Sequence, residues 1–424
     1  MPVSEFPSRY ARGVTSFRLS SFRRLWLAQA VSMLGDFIAV FAVQVAVVFR
    51  MHGTPGDMAG VFIASALPSV VLGPLAGVFA DRWNPQRTMI FSDVIRAVLI
   101  VLMGLAVTLP QIYIISLAIS CASSFFSPAR SIVMPSLVPR ENLLRAAAQM
   151  QQTMQVMRIV SPALASGLVV MFGARACFGA DSLSFLFSAG MIATLPLTHS
   201  AAGPATKQVQ DITKELLAGL RFLFTDARVS LVTTAMAAGT FAAGCFGALA
   251  SIYVRDVLHA QAGTLGLISS AIAAGTLGGS LCLGWLPKRI QSNHFVGIGM
   301  ASVGAAILLM GAFPLRVIAL AGATGIGLGI AMVVVVSTVV LQTNTPVDMR
   351  GRVAGAASSL AALAQLGAML FAGTLATHVG VRGVFFVSAG MLLLVGVASQ
   401  FRGAHVQTSP LSPPSPNVRL TGGA

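Results

Sequence analysis

The feature that most restricts this chain is a succession of apolar runs, each about 20 residues long, separated by short links that hold most of the charge. A helix of that length crosses a hydrocarbon core of ~30 Å. Lipid offers no partners to backbone N–H and C=O groups, so each run must satisfy them internally, as a helix does. The runs lie at about 25–48, 58–80, 88–108, 111–137, 150–172 and 177–197, then at about 229–253, 263–286, 294–313, 316–341, 353–376 and 383–401. The expected fold is an all-α membrane protein of twelve transmembrane helices in two six-helix, pseudo-symmetric halves. Composition agrees: 56% of residues are hydrophobic and 9% charged, with mean hydropathy +0.84, whereas soluble chains carry roughly a quarter charged residues.

The organisation read from this pattern is a polar arm (1–21), a first half (22–198), a link (199–228), a second half (229–402) and a tail (403–424). In the arm, Phe17, Leu19, Phe22 and Trp26 among Arg18, Arg23 and Arg24 predict a short interfacial helix or anchor before the first span. The link, with Lys207, Lys214, Arg221 and Arg228, reads as polar and partly helical, and the Pro/Ser-rich tail as disordered. No cleavable signal peptide is visible, so the first apolar run is expected to act as an uncleaved anchor.

The net charge of +15 does not point to nucleic acid, because the 27 basic residues are scattered between apolar runs and form no continuous patch. Their distribution is topological instead: about 19 fall in the segments on one side, about 3 within spans and about 5 on the other side. This bias places both termini in the cytoplasm.

Catalytic and cofactor motifs are missing. Cys121, Cys177, Cys245 and Cys282 sit singly in or near apolar runs, without ligand spacing, and read as small buried apolar residues. His52, His199, His259, His294, His378 and His405 fall in links, span ends or the tail. The glycine runs beginning at Gly275 and Gly325 precede no βαβ unit and read as close helix contacts rather than nucleotide loops. No enzyme activity, metal or cofactor is expected.

An internal repeat supports two halves. Gly77-Val-Phe-Ala-Asp81-Arg82 aligns with Gly284-Trp-Leu-Pro-Lys288-Arg289 at an offset of 207, and the same offset maps Pro139, Glu141 and Arg145 onto Pro346, Asp348 and Arg352. The halves are therefore parallel duplicates.

A charge inside a membrane span needs a reason, since insertion scales put its penalty at about 2.5 kcal/mol or more. Asp36 lies near the middle of the first span, with Gln29, Ser32 and Gln44 on the same side of a helical wheel. This stripe faces a cavity or the bundle. Asp36 is read either as a proton-titrating or substrate-contacting carboxylate, or as an acid held in a static pair with Arg130 or Arg158. Arg158 shares a stripe with Gln151 and Gln155, and Arg130 lies beyond a serine-rich section at Ser120, Ser123, Ser124 and Ser127. Either arginine is also a candidate to attract an anionic substrate or to bond two helices. The second half offers no acid in its spans, and the offset partner of Asp36 is Ala243. Asp181 is placed at the start of the sixth span, near the outer face, as an ordinary helix-start acid. Asp93 and Arg96, three apart, are expected to pair with the loop charges Asp81, Arg82 and Arg87 as a latch between the second and third spans.

The order of these features resembles the drug- and siderophore-exporter branch of the major facilitator superfamily, which includes enterobactin-type and macrolide-type exporters. The matching pieces are F-R-R-L-W-L-A-Q-A-V-S-M-L-G-D (22–36), the 77–87 loop with its Gly-x-x-x-Asp-Arg, F-F-S-P-A-R (125–130), V-P-R-E-N-L (138–143), G-A-D-S-L-S-F-L-F-S-A (179–189) and M-R-G-R-V (349–353). The resemblance implies a gating loop of Gly77, Asp81, Arg82 and Arg87, in which Asp81 meets the start of the eleventh span near Arg350 to Val353. Asn84, Pro85 and Gln86 depart from the family's loop pattern, which implies a weaker latch. Ser161-Pro162 stands where the antiporter-type motif has Gly-Pro. The function implied is proton-coupled export of an amphipathic small molecule, drug- or siderophore-like, by alternating access across a bacterial inner membrane. The alternatives are a proton-coupled importer of a small solute and a non-transporting receptor or lipid-handling protein. The expected partners are a small-molecule substrate, H+ and the lipid bilayer, with no nucleic acid; oligomeric state is open.

Overall fold

The structure, a computed structural model, describes residues 8–80, 83–196, 209–225, 227–285, 293–346 and 349–406. Among them there is no strand. The first half contains α1 (Ser8–Val45), α2 (Pro55–Ala80), α3 (Pro85–Leu105), α4 (Leu109–Leu137), α5 (Leu143–Phe172) and α6 (Ala174–Ala193). The linking helix α7 (Val209–Thr225) follows. The second half contains α8 (Ala227–Ile252), α9 (Ala262–Trp285), α10 (Asn293–Ala312), α11 (Arg316–Asn344) and α12 (Arg350–Val406). The 57 residues of α12 are two helical limbs joined at Gly380, whose φ of 72° no regular helix contains.

Ten described segments are long and apolar enough to cross a membrane, one of them the 46-residue Gly355–Gln400 that holds both limbs of α12. With α2, whose 26 residues carry a single charge at Asp57, they amount to twelve crossings. Large apolar side chains also face outward, including Phe91, Leu105, Leu183 and Leu394. Water would oppose such a surface and lipid accepts it.

Helix ends follow from local chemistry. Asn84 caps α3 by accepting from the Arg87 N–H at 3.1 Å, and Pro85 takes a first-turn position where its missing N–H leaves no bond unmade. Gln111 caps α4 by accepting from the N–H groups of Val107 and Thr108 at 2.9 and 3.1 Å. Gln86 reaches the far end of α6 and donates to the carbonyls of Ile192 and Leu195 at 2.9 and 3.0 Å. The loop residues that depart from the family pattern thus hold helix ends together.

The offset of 207 recurs in the backbone. The helix widens into a π-type turn at Ala46–Arg50 and again at Tyr253–Val257, closed by Met51 N–H to Ala46 O and Leu258 N–H to Tyr253 O, both 3.0 Å. A left-handed histidine follows each turn, His52 (φ 53°) and His259 (φ 47°), and left-handed glycines end the fifth crossing at Gly173 and the eleventh at Gly380. The packing repeats as well. In the first half α1 lies on α6, α2 on α4, and α3 on α4 and α6; in the second α8 lies on α12, α9 on α11, and α10 on α11 and α12. Along α9 and α11 the glycine runs allow near contact: a Cβ on Gly275 would strike the Thr324 carbonyl.

The described contacts between the halves lie at one end, where α1 passes to α2 and α8 to α9. Arg255 donates from Nη1 to the carbonyls of Val48 (2.7 Å) and Gly53 (2.9 Å), while Asp256 accepts from its Nε and Nη2 at 2.5 and 2.9 Å. Val48 and Arg255 are repeat-equivalent, so this clasp sits on the pseudo-twofold axis. Gly266 of α9 packs on Ser166 of α5, and Gly373 of α12 on Ala59 of α2. Away from this end α5 is largely uncovered, with Arg145, Gln149, Gln151, Gln152, Val156 and Arg158 exposed.

Three expectations are revised. The arm does not form a separate interfacial helix: α1 begins at Ser8 and runs unbroken into the first crossing. Helix α12 continues to Val406, past the expected start of the tail, and 407–424 lie outside the described residues. Of the four cysteines, Cys177 and Cys245 are buried, but Cys282 is exposed because it lies on the outer side of α9.

Candidate functional site

The site begins with α1. This helix is held by α4, α5 and α6: Gln29 accepts from Arg130 Nη1 at 3.0 Å, the Trp26 indole donates to the Thr153 hydroxyl at 2.8 Å, and Gly35 packs on α6. Gln29 and Ser32 are 3% exposed and face these neighbours. The side of α1 left partly open carries Met33, Asp36, Phe37, Val40 and Gln44. The Asp36 side chain is 45% exposed there, halfway along a membrane helix.

Behind Asp36 lies a buried arginine. The Nη1 of Arg96 is 3.9 Å from Asp36 Oδ2, and its Nη2 bonds Asp93 one turn away. Its guanidinium lies over the rings of Phe126 (4.8 Å) and Phe185 (4.2 Å), a setting in which ring faces supply part of the stabilisation that water would give. Arg96 is 5% exposed and Asp93 is fully buried. The pair is imperfectly satisfied: among the described residues, Asp93 Oδ2 and Arg96 Nε have no hydrogen-bond partner of good geometry. A guanidinium with free capacity next to a half-open carboxylate can change partners when the site is reshaped.

This geometry corrects three expectations. Asp36 is paired with neither Arg130 nor Arg158: Arg130 is used on Gln29, and Arg158 is exposed. Asp93 and Arg96 join the Asp36 cluster, ~12–16 Å into α3 on its buried stripe with Met89, Ser92 and Ala97, and of the loop charges expected to pair with them Arg87 is exposed while Asp81 and Arg82 lie outside the described residues. Asp181 is no outer-face acid. It is 1% exposed, and its Oδ1 accepts from the Ser184 hydroxyl at 3.0 Å. Its burial was foreshadowed by the spacing of Asp181, Ser184 and Ser188, a polar stripe of period i, i+3, i+7 on an otherwise apolar helix.

Of the other candidate residues, Gln44 lies on the open side of α1 and Gly77 lies within α2. Arg87 is exposed at the start of α3. Asp81 and Arg82 lie outside the described residues, as does the Gln155 side chain, so the gating loop's contact with α12 does too. Among the described residues no group of histidine, cysteine or carboxylate side chains is arranged to hold a metal ion.

Comparisons with known proteins agree with this architecture. The family model of the Major Facilitator Superfamily matches residues 25–368 and 239–419. The chain is 28% identical to the MFS-type transporter YfiS of Bacillus subtilis (strain 168), covering 88% of this chain and 91% of that protein. It is 27% identical to the enterobactin exporter EntS of Citrobacter koseri (90% and 93% covered) and 23% identical to macrolide efflux protein A of Streptococcus pyogenes (89% and 94%). The fold resembles a bacterial homologue of the human lysosomal transporter Spinster, in an inward-facing and occupied conformation, at TM-score 0.70 and 11% identity over 94% of this chain and 99% of that one.

Proposed function

The chain belongs to the Major Facilitator Superfamily, and from that premise we propose that this membrane transporter is a proton-coupled exporter of an amphipathic small molecule. The observation that carries the reading is Asp36: a carboxylate left half-open midway along a membrane helix, with Arg96 behind it. In one state the carboxylate is balanced by Arg96. In the other it is balanced by a proton or by a positively charged part of the substrate. Only a group with such alternatives couples two ligands, since a ligand that favours neither state shifts nothing. The efflux and exporter names of two relatives support the outward direction.

The residues 22–198 and 229–402 are the two rocking bodies, with 199–228 joining them. Both termini lie on the cytoplasmic side of a bacterial inner membrane, in keeping with the distribution of basic residues. On that topology the Arg255 clasp is at the outer end, and the structure is an inward-facing state whose uncovered stretch of α5 lines the cytoplasmic approach. Gly77, Asp81, Arg82 and Arg87 form the opposing cytoplasmic gate.

The test is accumulation of a fluorescent lipophilic cation in energised bacterial cells, comparing wild type, Asp36→Asn and empty vector with and without an uncoupler. The reading predicts lower accumulation with wild type, lost on adding uncoupler and lost in Asp36→Asn. Accumulation equal to vector, with the protein present in the membrane, would contradict export of such cations.

A further inference from the structure

Asp181 has no part in the mechanism above, yet its surroundings are not those of an idle acid. Its carboxyl lies two turns inside α6, out of contact with water, and the hydrogen bond it receives from a side chain is that of Ser184. The helices packed on α6 are α1, α3 and α5. α1 carries Asp36 beside its contact with α6, α3 carries Asp93 and Arg96, and the charged residues of α5, Arg145 and Arg158, are exposed. Gly35 is the point of approach, since a Cβ there would run into Asp181 Oδ1 and the Ser184 hydroxyl. The α6 carboxyl therefore lies against the α1 backbone, one residue from Asp36.

Three carboxylates share one guanidinium in this cluster. Arg96 is bonded to Asp93 and faces Asp36, so full ionisation would leave two negative charges unbalanced, one of them sealed from water. A low-dielectric site does not hold an uncompensated charge; it holds the acid with a proton on it or supplies a cation. Among the described residues no cation is bonded to Asp181, and Asp36, one residue from the Gly35 contact, is the half-open acid of the cluster.

Resting on the proton-coupled reading, we infer that Asp181 is a second proton-carrying group of the transport cycle, loaded and unloaded through Asp36 across the Gly35 contact. The step is a plain proton transfer. The O–H bond of the Asp181 carboxyl breaks, an O–H bond forms on the Asp36 carboxylate, and Asp36 passes the proton to water. No electrons change hands.

Infrared difference spectra of the full chain in lipid, recorded between acidic and alkaline buffer, read protonated carboxyls directly through their C=O stretch. Wild type is expected to show a component that disappears in Asp181→Asn and shifts in frequency in Ser184→Ala, which keeps the carboxyl and removes its hydroxyl partner. In Asp36→Asn that component should remain but respond to a pH jump several-fold more slowly. A spectrum of Asp181→Asn superimposable on wild type would overturn the inference. So would an unshifted spectrum of Ser184→Ala, the deciding arm should Asp181→Asn fail to fold. The two readings fail separately. Wild-type efflux of the lipophilic cation that ignores an uncoupler removes proton coupling itself. Uncoupler-sensitive efflux whose pH profile is the same in wild type and Asp181→Asn removes only the role of Asp181.

Discussion

Arg96 is the residue on which the charge cluster depends. It is the cation that bonds Asp93 and faces Asp36, and it lies over two aromatic rings with almost no exposure to water. Removing one member of a buried ion pair strands the other, at a cost of about 3–5 kcal/mol. Arg96→Ala should therefore lower thermal stability strongly, whereas Arg158→Ala, at an exposed position, should change it by less than about 0.5 kcal/mol. Differential scanning fluorimetry of the purified variants checks the contrast. Gly35 is a second sensitive point. Gly35→Ala places a methyl group against the Asp181 carboxyl and Ser184 hydroxyl, and overpacking of that kind costs about 1–3 kcal/mol. Gly167→Ala, where an added Cβ meets nothing within 4 Å, is the control and should be near neutral.

At the scale of elements, the repeated π-type turns explain the junction between the halves. Each turn redirects the end of a helix and is followed by a left-handed histidine, so that residues 48 and 255 come together on the axis between the halves. The chemistry there is one-sided: Arg255 donates and the α1 end accepts. Arg255→Ala should loosen this end and, on the proposed topology, shift the population towards the outward-open state. The expected readout is faster labelling of a cysteine placed at Ala260, the buried repeat-equivalent of Gly53, by a membrane-impermeant thiol reagent, measured against the same cysteine with Arg255 intact in a background lacking the native cysteines. Unchanged labelling would mean that the packing of α5 on α9 and of α2 on α12 suffices to hold the junction.

For the molecule as a whole, much of the architecture was legible in the chain. Apolar runs of bilayer length allow little besides helices, and two short motifs at one offset were enough to find a duplication that the backbone repeats in its turns and glycines. The stripe Gln29–Ser32–Asp36–Gln44 is divided in the structure: Gln29 and Ser32 pack against neighbouring helices, whereas Asp36 and Gln44 are partly open. What could not be read was pairing between helices. Arg96 meets Asp36 across 60 residues of sequence because of how α3 is rotated against α1 and α6, and no local pattern encodes that rotation. Asp181 was misplaced for a simpler reason. The crossing starts at Ala174, just after the left-handed Gly173, several residues earlier than hydropathy indicated, and that carries Asp181 from the rim into the bundle.

The claim that most needs a direct test is that movement of substrate and of protons meet at Asp36. Inside-out membrane vesicles, energised by respiration and loaded with a pH-sensitive acridine dye, report the proton gradient while a lipophilic cation is added. Transport coupled through Asp36 predicts a partial collapse of the gradient on adding the cation in wild-type vesicles and none in Asp36→Asn vesicles holding the same amount of protein. Uptake of the cation without any change in the gradient, or an equal collapse in Asp36→Asn, would contradict it.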